Sequence, residues 1–267
     1  MVEFIAEIGW NFMGDMKLAE TMVMDAKEAG ADIAKFQYWN PEKLADGPWF
    51  DDGRIEIYKK AQLNEEKIKK LQAICASAKI GFLISAFNAE DAEFLKRIGV
   101  KKIKIPSHEV ANWELHNFAA RNFSKCYVSL GAGSWKELSQ AIGIYNGSDT
   151  EWVGMHCVSS YPCPPEKVNL RKIELLCKDI ETVGFSDHTT NIITPAIARA
   201  LGAEVFEKHF TSDKSLPGRD NKFAVDKYEF QKMVEHIQVA EEMLTNLGPE
   251  AVDIEADTIA NYRGRWG

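Results

Sequence analysis

Eight short runs of β-branched or alternating apolar residues, EFIAEIG, DIAKFQ, GFLISAF, KKIKIPS, KCYVSLG, EWVGMHC, ETVGFSDH and EVFEKHF, recur along the chain between segments of helical period. The first helical segment, residues 17–30, spaces Leu18, Met22, Ala26 and Ala29 by three and four and closes on Gly30, a residue suited to a helix C-cap. Comparable patterns lie at 64–79, 89–99, 134–145, 169–178, 191–202 and 226–248, with a shorter one near 112–120. A crossover helix returns the chain to the same end of the sheet, so strict alternation implies parallel pairing. Eight such units predict an α/β fold of the closed (β/α)8 TIM barrel type, one domain spanning residues 1–267. A doubly wound open sheet usually needs fewer strands, and no GxGxxG follows the first strand. Residues 39–54 form the longest irregular piece, and their aromatic and acidic side chains suit either a lid or a packed surface loop.

The composition, 45% hydrophobic and 27% charged, supports one large core. A net charge of -8 argues against nucleic-acid binding, which rests on clustered Lys and Arg. No apolar run approaches the roughly 20 residues of a membrane span, and MVEFIAEIG lacks the basic start and long apolar segment of a secretion signal, so no membrane association and a cytoplasmic address are expected. The five cysteines contain no CxxC pair; they are expected to be mostly buried thiols rather than a disulfide framework or zinc site.

In a barrel of this type the C-terminal strand ends meet at one mouth, where chemistry is done. The strands deliver there, in order, Glu7; Lys35 and Gln37; Ser85; Lys104, Ser107 and Glu109; Ser129; His156, Ser159 and Tyr161; Ser186, Asp187 and His188; Lys208 and His209. Lysines among hydroxyls make a pocket for a small anion such as phosphate or carboxylate. Histidines on adjacent strands, His188 and His209, can place two neutral imidazoles on one divalent metal. Each feature also has a plainer reading: strand histidines are commonly hydrogen-bonded core residues, and the lysines can be ion-paired structurally with Glu7 or Glu109.

The motifs IAEIGWNFMGD at 5–15, KFQ at 35–37, KIPSHE at 104–109, HCVSSYPCPPEKVNL at 156–170, SDHT at 186–189 and EKHFT at 207–211 followed by PGRD together resemble the N-acetylneuraminate synthase family. The resemblance runs in order through all eight units. It implies condensation of phosphoenolpyruvate with N-acetylmannosamine or a related aldose to give a nonulosonic acid with release of phosphate. It also implies a divalent metal, Mn2+ or Mg2+, on His188 and His209, phosphoenolpyruvate contacts from Lys35, Ser85, Lys104, Ser107, Ser159 and Ser186, and sugar or acid–base roles for Glu7, Gln37, Glu109, Tyr161 and Asp220.

Two departures stand out. Asn11-Phe12-Met13-Gly14 replaces the family's usual Asn-His-Asn-Gly, and His108 replaces the Gly of KIxSGE; both are expected to reshape the wall facing the sugar. Members commonly carry an antifreeze-like domain that supplies an arginine to the partner subunit's acceptor site. This chain stops at YRGRWG and is expected to lack that domain, so that the acceptor differs, or the protein works as a homodimer or with a separate antifreeze-like chain. Two other readings are a 3-deoxy-aldulosonate synthase or other barrel aldolase using a different sugar, and a noncatalytic sugar-binding relative.

Overall fold

The computed structural model describes residues 2–266. Eight strands, β1 (Glu3–Gly9), β2 (Ile33–Gln37), β3 (Gly81–Ser85), β4 (Lys102–Ile105), β5 (Lys125–Ser129), β6 (Glu151–His156), β7 (Val183–Asp187) and β8 (Val205–His209), pair in sequence order into a closed barrel. Every ladder is parallel, and β1 closes onto β8 with Glu7 beside His209.

The helices are α1 (Met16–Glu28), α2 (Arg54–Ala61), α3 (Glu65–Ser77), α4 (Ala89–Arg97), α5 (Trp113–Asn122), α6 (Trp135–Asn146), α7 (Arg171–Leu176), α8 (Thr194–Ala200), α9 (Lys227–Met243) and α10 (Ala256–Asn261). Their starts follow from local chemistry: Asp15 accepts hydrogen bonds from the Lys17 and Leu18 amides, and Ser134 with Glu137 and Asp226 with Glu229 form reciprocal capping boxes on α6 and α9. The period-3.6 stripe of α1 buries Ala19, Met22, Val23 and Ala26 against the outside of the barrel. Cutting Met22 back to Ala would cost about 2–5 kcal/mol through the cavity left behind.

Strand alternation separates two environments. Ile5, Ile33, Leu83, Tyr127, Val153, Met155 and Val205 pack together inside the barrel, whereas Phe4, Ala6, Ile8, Phe36, Ile84, Val128, Phe185 and Phe206 join the layer under the helices. The interior packing is a floor, and the polar residues one pleat further along form the site above it.

Several boundaries differ from the sequence expectation. The fourth strand stops at Ile105, because Pro106 cannot donate to the ladder and Ser107–Glu109 turn as a short 3-10 helix. Helix α9 ends at Met243, and the sequence reading did not separate α2 or α10 from their surroundings. Residues 39–53 carry two 3-10 turns, Pro41–Lys43 and Pro48–Phe50, each started by a proline. Trp39 donates to the Tyr58 carbonyl at 3.2 Å, Trp49 donates to the Ala45 carbonyl at 3.0 Å, and Lys43 pairs with Glu90 of α4. Of the cysteines, Cys75, Cys126, Cys157 and Cys163 are buried thiols and Cys177 is exposed, in line with a mostly buried set. Among the described residues no helix is long and apolar enough to cross a membrane.

Candidate active site

The C-terminal ends of the strands open into a cavity of about 640 Å³ whose lining includes Glu7, Lys35, Gln37, Ser85, Lys104, Ser107, Glu109, Tyr161, Ser186, His188, His209 and Asp220. Ser159 joins them through a 2.6 Å hydrogen bond to Ser107. The candidate residues read from the sequence therefore converge on one mouth.

At the bottom of the cavity lies a buried charge cluster centred on a residue the strand-end inventory passed over, Glu207. Its carboxylate meets Lys104 Nζ at 2.7 Å and Lys35 Nζ at 3.3 Å and accepts a hydrogen bond from Ser186 at 2.9 Å. Lys35 also pairs with Glu7 at 3.0 Å and approaches Ser85 at 3.4 Å, while Gln37 donates to Glu7. Burial works to depress Lys35, but Glu207 and Glu7 together outweigh it and hold the ammonium above its ordinary value. Lys104 falls below its ordinary value, because burial, aided by the nearby charge of Lys35, exceeds the pull of Glu207. Burial works against the Glu207 charge, yet Lys104 and then Lys35 hold its carboxyl well below the usual range. The expected ion pairing of the lysines is thus met by Glu7 and by Glu207 rather than Glu109, and the paired lysines share the cavity with Ser85, Ser107, Ser129 and Ser186.

The two histidines lie beside this cluster, their ring centroids 5.7 Å apart. His188 Nδ1 sits 2.7 Å from the Val158 carbonyl, which can only accept; Nδ1 therefore carries the proton and the Nε2 lone pair is left for another partner. Burial, then the adjacent His209, pushes the His188 pKa down to about 3, so its imidazole is neutral at neutral pH. His209 Nδ1 is buried without a hydrogen-bond partner, 3.6 Å from Asp220 Oδ2. A neutral imidazole with a free lone pair beside an orphaned ring nitrogen fits a shared divalent cation. Among the described residues no third His, Cys, Asp or Glu completes a ligand cluster with them, so water and substrate would have to supply the other positions.

Three groups in the strand-end inventory do not reach the cavity. Lys208 and Asp187 occupy the opposite parity, where they pair at 2.6 Å and Lys208 also donates to the Thr189 carbonyl at 2.8 Å. His156 hydrogen-bonds the Val168 carbonyl at 2.8 Å and stacks on Phe185 in the outer layer. The departure at Phe12 also needs correction: its ring is fully buried edge-on against Phe36 and does not face the sugar wall. His108 does line the cavity, stacked on Phe87 at 5.4 Å and 4.0 Å from Glu109.

The outer half of the cavity comes largely from residues that the sequence reading did not single out. Trp39, Lys43, Leu44, Ala45 and Trp49, with Arg54 and Tyr58 of α2, wall one side, so the long loop takes part in the mouth. Trp10 and Arg219 line the same space. Trp10 and Arg219 lie inside the IAEIGWNFMGD and PGRD motifs and the others in the long loop or α2, but neither tryptophan nor arginine is specific enough to be chosen on that ground.

A family model described as the NeuB family matches residues 22–248. The chain is 35% identical over 257 residues to the N,N'-diacetyllegionaminic acid synthase of Legionella pneumophila, covering 90% of this chain and 72% of that one. It is 32% identical over 273 residues to a pseudaminic acid synthase of Campylobacter jejuni, covering 97% and 79% of the two chains. Its fold superposes with a TM-score of 0.89 on the crystal structure of the N-acetylneuraminic acid synthetase of Leptospira borgpetersenii in complex with citrate, at 31% identity and with coverage of 99% and 93%.

Proposed function

The chain belongs to the NeuB family, and on that premise we propose that it is a phosphoenolpyruvate-dependent synthase that extends an aldose, N-acetylmannosamine-like or related, into a nonulosonic acid. The observation that carries the reading is the juxtaposition in one cavity of the Lys35–Glu207–Lys104 cluster, the His188–His209 pair and the carboxylates Glu7, Glu109 and Asp220. An anion cradle, a Lewis-acid position and acid–base groups are what such a condensation requires.

Phosphoenolpyruvate binds with its negative groups on Lys35 and Lys104 and on the hydroxyls of Ser85, Ser107, Ser159 and Ser186. Its C3 then faces the acceptor aldehyde. As the new C–C bond forms, the aldehyde oxygen takes a proton from an acid among Glu7, Glu109 and Asp220, and C2 of the donor becomes cationic. Water adds to C2, giving up its proton to a carboxylate. The bond from C2 to the phosphate oxygen then breaks as the C2 hydroxyl becomes the ketone and its proton passes to the departing phosphate, so that phosphoenolpyruvate, aldose and water yield the acid and inorganic phosphate. Gln37 and Tyr161 line the acceptor side, Tyr161 against the His188 ring with centroids 4.2 Å apart. His188 and His209 would hold a divalent cation, Mn2+ or Mg2+, whose contribution when bound is to polarise the aldehyde carbonyl.

The charge balance at the rim favours an unphosphorylated acceptor over a sugar phosphate. Lys43 is already matched by Glu90 and Arg54 by Asp52. Among the described residues this leaves Arg219 as the one cavity-lining Lys or Arg without an ion pair, a weak match for a phosphate dianion.

A phosphate-release screen tests the reading: phosphoenolpyruvate, a panel of unphosphorylated N-acylhexosamines and their phosphorylated counterparts, each with Mn2+ or Mg2+. Release with the unphosphorylated sugars is expected. No release with any acceptor would overturn the synthase reading, and release with sugar phosphates alone would overturn the assignment of an unphosphorylated acceptor.

A further inference from the structure

Asp220 is placed by the loop after β8, and the fixed geometry of that loop comes from Asn221, which bonds Thr211 at 2.5 Å and the Pro217 carbonyl at 2.9 Å. The carboxylate itself has a separate partner from the opposite side of the mouth. Trp10 Nε1 donates to Asp220 Oδ2 at 2.6 Å, with both residues only 8% exposed. Trp10 is carried there by an irregularity at the end of β1, where the pairing with β2 shifts between Glu7 and Gly9 and Gly9 takes a φ of +56°. Its indole stacks on Tyr58 of α2 at 5.2 Å and 22°, and meets Trp39 edge-on at 5.8 Å and 86°.

We propose that Trp10 is a positioning residue for Asp220: the indole N–H fixes one carboxylate oxygen, so that the other is held toward the acceptor, and the Tyr58–Trp39 packing makes the 39–61 segment the outer support of that contact. The proposal rests on the synthase reading for what Asp220 does, and on the geometry alone for what holds it. A carboxylate that must meet a reacting sugar gains from losing its rotational freedom beforehand, since misplacement by a fraction of an ångström weakens charge-assisted contacts. A neighbouring histidine cannot replace the indole, because His209 Nδ1 stands 3.6 Å from the same oxygen, outside hydrogen-bond range.

Two measurements test it. With 15N-labelled tryptophan, the Trp10 indole N–H, assigned through its bonded atoms, is expected to resonate downfield and exchange slowly with solvent; in Asp220→Ala it should move upfield and exchange faster. An indole signal that ignores Asp220→Ala would overturn the proposal, and this readout needs no turnover. In steady-state assays Trp10→Phe, which keeps a ring but not the donor, should lower kcat by roughly ten- to a hundredfold, the range for losing a hydrogen bond to a charged group. The phosphoenolpyruvate KM and its calorimetric Kd should stay within about twofold of wild type. Unchanged kcat, or an equal loss of donor affinity, would reduce Trp10 to packing. If wild-type protein releases no phosphate with any acceptor, the synthase reading fails while the indole measurement still decides the contact.

Discussion

Replacing Glu207 by Gln is the most direct test of how the cradle is held together. The substitution keeps shape and one acceptor but removes the charge that Lys104 meets at 2.7 Å and Lys35 at 3.3 Å, in a cluster where all three side chains are at most 5% exposed. Removing one partner of a buried ion pair costs about 3–5 kcal/mol. Glu7 continues to neutralise Lys35 at 3.0 Å, which places the expected loss near the lower end, about 3 kcal/mol. For a chain of this size a loss of 1 kcal/mol lowers Tm by about 2–4 °C, so Glu207→Gln should melt about 6–12 °C below wild type. Burial and the charge of Lys35 then act on Lys104 with little opposition, favouring its neutral form in the folded state. The unfolded chain binds that proton up to the ordinary lysine range, and the deficit should therefore shrink as pH rises.

The diagnostic feature is rescue by an anion. Inorganic phosphate or phosphoenolpyruvate supplies the negative charge that the substitution removed, and a ligand that binds only the folded state raises Tm by mass action. Differential scanning calorimetry across a phosphate titration should give a larger upward shift for Glu207→Gln than for wild type. A variant that melts within 2 °C of wild type, or one whose phosphate shift equals that of wild type, would refute the account of Glu207 as the internal counterion of the cradle.

Other outcomes follow from the same geometry. His209→Ala is expected to abolish metal-dependent turnover without loss of fold; circular dichroism and phosphate release measured together check it, and unchanged activity with the metal that supports wild type would exclude His209 as a ligand. Lys104→Ala should weaken phosphoenolpyruvate binding by at least tenfold in calorimetry, and equal affinity would count against the anion site. Stability should fall as pH drops below about 6.5, because burial holds His116 and His156 down at about 4 and His188 at about 3 while the unfolded chain protonates them near their ordinary value. With all three neutral above that range, the loss approaches roughly 1.4 kcal/mol per pH unit for each histidine between 6.5 and its folded value. Urea unfolding at a series of pH values measures this, and a flat profile from pH 7 to 5 would contradict it.

The barrel was legible because each strand carries enough apolar residues at the right spacing to declare itself, and each long helix presents a 3.6-period stripe to the sheet. Less legible were the short helix α2 and the loop before it, where two prolines start 3-10 turns and the ordering comes from contacts to distant residues such as Glu90. The long-range packing of Phe12 was hidden for a related reason. A residue just beyond a strand can turn toward the mouth or under the helices, and only the presence of Phe36 on the neighbouring strand decides between them.

Strand parity accounts for the error at the eighth strand and shows how it could have been avoided. Val205 and His209 share a face because side chains alternate, and Glu207 lies between them on that same face, while Phe206 and Lys208 point the other way. A histidine placed at the mouth therefore carries a glutamate into the barrel two residues earlier. That carboxylate would be costly without partners, and Lys35 and Lys104, rising at the same level from other strands, are the partners that burial demands. The carboxylate near the end of this apolar strand is thus the counterion that lets two lysines remain buried at the floor of the cavity.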